Sequence, residues 1–123
     1  MSRTRHYRDL IAWQKAMSLA RAIYAATEEF PKSETFGLRM QLRRASVNVA
    51  SHIAEGHGRV TDVENRKALS AARGALNEFQ TQLELASSLG FVASSVSEEL
   101  LDLATEVAKL INGLLGVLEP TKG

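Results

Sequence analysis

Chemistry in this chain would have to come from His52, Glu55 and His57 or from its arginines, because the usual nucleophiles are missing. His52 and Glu55 stand three apart, which places both on one face of a helix, and an imidazole beside a carboxylate can ligate a metal. The spacing is not that of a zincin, however, and His57 falls between two glycines at the expected helix end. The chain has no cysteine, no serine in a nucleophile-elbow setting and no Glu-x-x-His pair of the kind that two-metal bundles repeat on two helices. Gly56-His57-Gly58-Arg59 follows a helix instead of joining a strand to one, so it does not read as a phosphate loop. The expectation is a protein that is not an enzyme and carries no metal or cofactor.

The cations are the stronger lead. Arg3, Arg5 and Arg8 open the chain, and Arg39, Arg43, Arg44, Arg59, Arg66, Lys67 and Arg73 follow. A planar guanidinium matches phosphate geometry, and arginine outnumbers lysine here. Net charge is only +1, yet residues 1–73 hold 13 Lys and Arg against 7 Asp and Glu, while residues 74–123 hold 2 against 7. Such polarity suits a nucleic-acid surface on the first half, or attraction between the halves within one chain or between two. Arg39, Arg43, Arg44, Arg59, Arg66, Lys67 and Arg73 are therefore candidate nucleic-acid contacts, with pairing to the acidic half as the alternative.

Helices must position these residues. Four segments repeat an apolar period of three to four residues, and none alternates as a strand would. The first, 7–29, carries Leu10, Trp13, Met17, Ala20 and Tyr24 on one face and is stopped by Pro31. The second, 34–57, turns Leu38, Leu42, Ala45, Val49 and Ile53 inward and ends in a left-handed stop at Gly56 and Gly58. Thr61-Asp62-Val63-Glu64 is a capping box opening the third, 62–89, with Leu69, Ala72, Leu76, Phe79, Leu83 and Ala86 inward and Gly90 as its stop. Ser95-Val96-Ser97-Glu98 is a second box, opening the fourth, 96–118. Its Leu100, Leu103, Ala104, Val107, Leu110, Ile111, Leu114 and Leu118 form a dense stripe ended by Pro120. Trp13, Tyr24, Phe36 and Phe79 are spaced as packing residues. Short connections predict an all-α, antiparallel up-down-up-down four-helix bundle, with residues 1–123 forming one domain.

The second helix has two further faces. Gln41, Arg44, Asn48, Ser51, His52 and Glu55 form a polar stripe, and Gln41, Arg44, Asn48, His52 and Glu55 are expected to join in a hydrogen-bonded network, with a ligand or RNA contact as the alternative. Met40, Val47 and Ala54 lie opposite the core face. A helix apolar on two sides is usually buried on two sides, so these three residues predict a homo-oligomer interface; isolated surface hydrophobes are the alternative. The longest charge-free run, 85–97, is too short to span a membrane, and the amino terminus has no apolar stretch of signal-peptide type. A soluble, cytoplasmic protein with no membrane partner is expected.

Taken together, several segments resemble the bacterial 23S rRNA-intervening sequence proteins, also called S23-like. They are Leu10-Ile11-Ala12-Trp13-Gln14-Lys15-Ala16, Phe30-Pro31-Lys32-Ser33-Glu34 with Gly37-Leu38, Gln41-Leu42-Arg43-Arg44-Ala45, Ile53-Ala54-Glu55-Gly56 with Gly58-Arg59, Ala72-Arg73-Gly74 with Glu78, and Asn112-Gly113-Leu114. The resemblance implies a left-handed four-helix bundle, often a ring-shaped pentamer, encoded in some bacteria within insertions in the large-subunit ribosomal RNA gene. Related accessory proteins of diversity-generating retroelements are similar in binding nucleic acid and a reverse transcriptase. His52 and Asn48 stand where the family usually has asparagine and serine. The functional expectation is a non-enzymatic homo-oligomer binding ribosomal or other structured RNA through its arginines. The alternative is a structural or adaptor protein that docks a protein partner and has no nucleic-acid role.

Overall fold

The computed structural model describes residues 6–59 and 61–118; Arg3, Arg5 and Pro120 lie outside them. Helix α1 (Ile11–Ala26) follows a 3-10 turn at Tyr7–Asp9, so it is shorter at both ends than expected. Thr27 closes it, its hydroxyl and its N–H both donating to the Ile23 carbonyl, at 2.7 and 2.9 Å. The stop thus falls before Pro31. A second 3-10 turn, Lys32–Glu34, leads into α2 (Leu38–His57). Glu34 therefore sits outside that helix and caps it, its Oε1 accepting the Leu38 N–H at 2.9 Å.

Thr61 opens α3 (Asp62–Ser88) as its N-cap, the hydroxyl accepting the Glu64 N–H at 3.2 Å. Gly90 closes it with φ +80 and a Schellman pair of bonds, Phe91 N–H to the Ala86 carbonyl and Gly90 N–H to the Ser87 carbonyl, both 3.0 Å. Helix α4 (Ser94–Leu118) starts earlier than expected: the Ala93 carbonyl accepts the Ser97 N–H at 2.9 Å, which puts Ser95 inside the first turn instead of at a cap. The left-handed stop expected after α2 is also not formed. Gly58 has φ −84, and Gly56 is a buried helical residue where α2 meets α3. A Cβ there would stand 2.7 Å from Asn65 Oδ1, 3.1 Å from Ala68 Cβ and 3.2 Å from the Asn65 carbonyl oxygen.

Each helix packs on its neighbours in the chain, and α1 also packs on α4, so the four close into a bundle; among the described residues there is no strand. The expected inner faces of α2 and α3 are buried throughout. On α4, Leu100, Ala104, Val107 and Ile111 are buried, Leu103, Leu110, Leu114 and Leu118 only partly, and Leu115 and Ser97 join the buried set. Helix α1 differs most. Its buried stripe is Ala12, Ala16, Leu19, Ala20 and Ile23, while Leu10, Trp13 and Met17 are half-buried and Tyr24 is exposed. This helix is apolar around most of its circumference, so periodicity alone does not select a face. Alanines let α1 approach its neighbours closely, and the bulkier side chains are left at the seam edges. Phe36, expected to pack, is 81% exposed.

The α2–α3 approach makes Gly56→Ala destabilising by about 1–3 kcal/mol, because backbone and a second helix must shift. Gly113→Ala, with nothing within 4 Å of the added carbon, should stabilise α4 by roughly 0.5–1 kcal/mol. Urea unfolding of both variants, with midpoints moving in opposite directions, checks this pair.

Candidate nucleic-acid interface

The expected polar network on α2 is mostly not formed. Only His52 and Glu55 are joined, Nδ1 to Oε1 at 3.3 Å; Gln41, Arg44 and Asn48 take no part. Arg44 and Glu55 are separated by about 16 Å of helix, beyond the reach of one side chain pair. Arg59 is the cation that Glu55 holds instead, donating to Oε2 at 2.7 Å. The hydrogen bond from His52, and then that from Arg59, keep the Glu55 carboxyl below the ordinary carboxylate range. Among the described residues no three His, Asp or Glu side chains gather as a metal site.

The seven candidate cations have different fates. Arg43 is bound into the fold: its Nε donates to Thr27 Oγ1 at 2.8 Å, one terminal nitrogen donates to the Tyr24 carbonyl at 3.1 Å, and its guanidinium lies 4.4 Å from the centre of the Tyr24 ring. Arg39 donates to Glu28 at 3.2 Å, and the same carboxylate lies 3.5 Å from Arg43. These two arginines join α2 to the end of α1. Arg44 is exposed and makes no ion pair among the described residues. Arg59 lines a groove between α2 and α3 in which Glu55 and Glu64 oppose Arg59 and Lys67, a mixture that holds an anion poorly.

Arg66 and Arg73 come together on the other flank of α3, and Lys67, which also borders the α2–α3 groove, lies beside them. Arg66 donates to the Leu118 carbonyl at 3.0 Å, at the negative end of the α4 dipole, and Arg73 donates to Asn112 Oδ1 at 3.1 Å. With Lys67 and Ser70 between them, and Val63 and Leu115 beside them, they line an open groove of about 460 Å³. Among the described residues no carboxylate lines it. A guanidinium has five N–H donors, and one bond to α4 orients each arginine while leaving others for an anion. Two helical turns, about 10 Å, separate Arg66 from Arg73, enough for more than one phosphate. Among the described residues no aromatic ring lines the groove, so it suits backbone contact instead of base stacking.

The sequence points to these three cations but not to Asn112 and Ser70. Arg73-Gly74 and Asn112-Gly113 both stand out as segments; only the fold joins them. On α2, Met40 and Val47 are 37% and 41% exposed and Ala54 is half-buried, so this face has no partner among the described residues.

The geometry is that of a helical bundle with a basic groove. A sequence profile of 23S rRNA-intervening sequence proteins matches residues 8–113, and the chain belongs to that family. Among solved structures it is similar to a protein of unknown function from the S23 ribosomal protein family of Bacteroides thetaiotaomicron. The identity is 19%, the alignment covers 85% of this chain and 98% of that one, and the TM-score is 0.77, a likeness of fold. A comparison with curated proteins finds no match. Neither description names a catalytic activity. No helix among the described residues is long and apolar enough to cross a membrane.

Arg43 and its neighbour Arg44 should separate cleanly on substitution. Arg43→Met strands Thr27 and the Tyr24 carbonyl and should cost about 1.5–3 kcal/mol, whereas Arg44→Met should stay within about 0.5 kcal/mol of wild type. Thermal melts followed by circular dichroism measure the difference.

Proposed function

We propose that this protein is a non-enzymatic homo-oligomer that binds structured RNA, or another nucleic acid, through phosphate contacts. The observation that carries the reading is the α3–α4 groove, where Arg66, Lys67 and Arg73 converge with no carboxylate among the described residues and two of them are oriented by α4. Arg39 and Arg43 act in this reading as structural cations, and Arg44 and Arg59 flank other surfaces. The family's name is consistent with association with ribosomal RNA, and the cytoplasm is the compartment such a partner requires. Five copies in a ring, and a left-handed bundle, are what the resemblance implies. An antiparallel arrangement is supported by the pairs Arg66–Leu118 with Arg73–Asn112, and Arg39–Glu28 with Arg43–Tyr24, in which residue numbers rise on one helix as they fall on the other. The exposed Met40 and Val47, with Ala54, support self-association through α2.

Fluorescence anisotropy with a structured ribosomal RNA fragment tests the groove. Changing Arg66, Lys67 and Arg73 together to Ala should weaken binding and flatten the plot of log affinity against log salt by about one unit for each phosphate no longer neutralised. An unchanged slope would move the binding surface elsewhere and favour docking of a protein partner. For the α2 face, Val47→Glu should reduce the mass by light scattering to that of one chain with helicity preserved; an unchanged mass would refute that interface.

A further inference from the structure

The end of the bundle where α1 and α3 begin and α2 and α4 finish holds a small apolar pocket. Leu10, Ile53, Leu69, Leu114, Val117 and Leu118 line it, with His57 and Asn65 as its polar members, and its volume is about 140 Å³. Ile53 and Leu69 are buried and Val117 is 84% exposed, so the pocket runs from the core out to the surface. Neither the basic groove nor the outward face of α2 contributes a residue to it. Among the described residues no charged side chain lines it, and the half-buried side chains of His57 and Asn65 make no hydrogen bond. Asn65 leans against α2 at Gly56, its Oδ1 lying 2.7 Å from where a Cβ on that glycine would stand, so a larger residue there would displace the amide.

We propose that this pocket binds a neutral, single-ring aromatic molecule bearing one hydroxyl group, of the phenol class. Size sets the ring. An apolar cavity of ~150 Å³ takes up benzene, whereas a partner helix, about 10 Å across, is too wide to enter. Polarity sets the substituent. An imidazole and a carboxamide can each donate and accept, so a hydroxyl between His57 and Asn65 has a partner for its proton and for its lone pairs. A hydrocarbon would leave both side chains unpaired, and an ion would lose its hydration with no opposite charge in the lining to offset the loss. Pockets between the helices of bundles commonly take small molecules in this way, with apolar walls and a few placed polar groups. The chain itself offers a poorer match: residues 1–5, 60 and 119–123, outside the described structure, contribute Met1, Val60 and Pro120 as apolar side chains, none with a group to pair with His57 or Asn65.

Phenol titrated into isotope-labelled full-length protein, followed by NMR, tests the assignment. Saturable shifts should fall on Ile53, His57, Asn65, Leu69 and Leu114, and Leu114→Trp, which fills the pocket from a half-buried wall position, should abolish them. Replacing His57 and Asn65 together by Ala should weaken phenol roughly tenfold and leave toluene, which lacks the hydroxyl, unaffected. The spectra of the variants report at the same time whether the fold survives. Absence of a saturable shift at these residues in the wild type, or equal weakening of phenol and toluene in the double variant, would overturn the proposal. Nuclear Overhauser contacts from Met1, Val60 or Pro120 to the Leu69 and Leu114 methyls in the free protein would assign the pocket to the chain itself and overturn it as well.

Discussion

The approach of α2 to α3 at Gly56 sets the register of the bundle. Asn65 and Ala68 lie where a side chain would extend, so a Cβ at position 56 would crowd both and the two helices approach closely there. With that crossing fixed, Leu69, Ala72, Leu76 and Phe79 of α3 point into the core. The flank bearing Arg66, Ser70 and Arg73 then has to face α4. The buried face of α3 and the face that displays the positive charge are thus two sides of one packed helix.

Local electrostatics then divide cations that look alike in the sequence. Arg43 is mostly covered, bonded to a hydroxyl, a carbonyl and an aromatic face, and such charge-assisted contacts at low exposure hold helices together. Arg59 pairs with Glu55 on the surface, where screening leaves little net energy. Arg66 and Arg73 are intermediate: anchored to neutral oxygens, they are oriented and make no ion pair among the described residues. That difference separates a phosphate site from a structural clamp.

The four helices and most of the core are legible in the sequence because their apolar periods are long and the signals at Thr61 and Gly90 are strong. The α1 face is not, because an alanine-rich helix surrounded by larger apolar residues fits more than one stripe, and packing against neighbours makes the choice. The α2 network fails for a geometric reason: residues sharing a stripe need not lie within reach, and Glu55 finds its cation one turn onward in Arg59. Periodicity does not tie Asn112 and the Leu118 carbonyl to Arg73 and Arg66, since those pairings span 39 and 52 residues and depend on how α3 and α4 dock. Exposure of Phe36 likewise follows from the turn that precedes α2, which no periodicity describes.

Recognition of a phosphate backbone by an oriented row of cations is what the functional reading stands on. It is put at risk by measuring wild-type binding, by anisotropy, to structured ribosomal RNA, single-stranded RNA and duplex DNA at several salt concentrations. Tight binding to the structured RNA, weakening steeply and linearly on the log–log salt plot, is expected. No binding to any of the three at low salt would contradict it, leaving the groove cations without a nucleic-acid role.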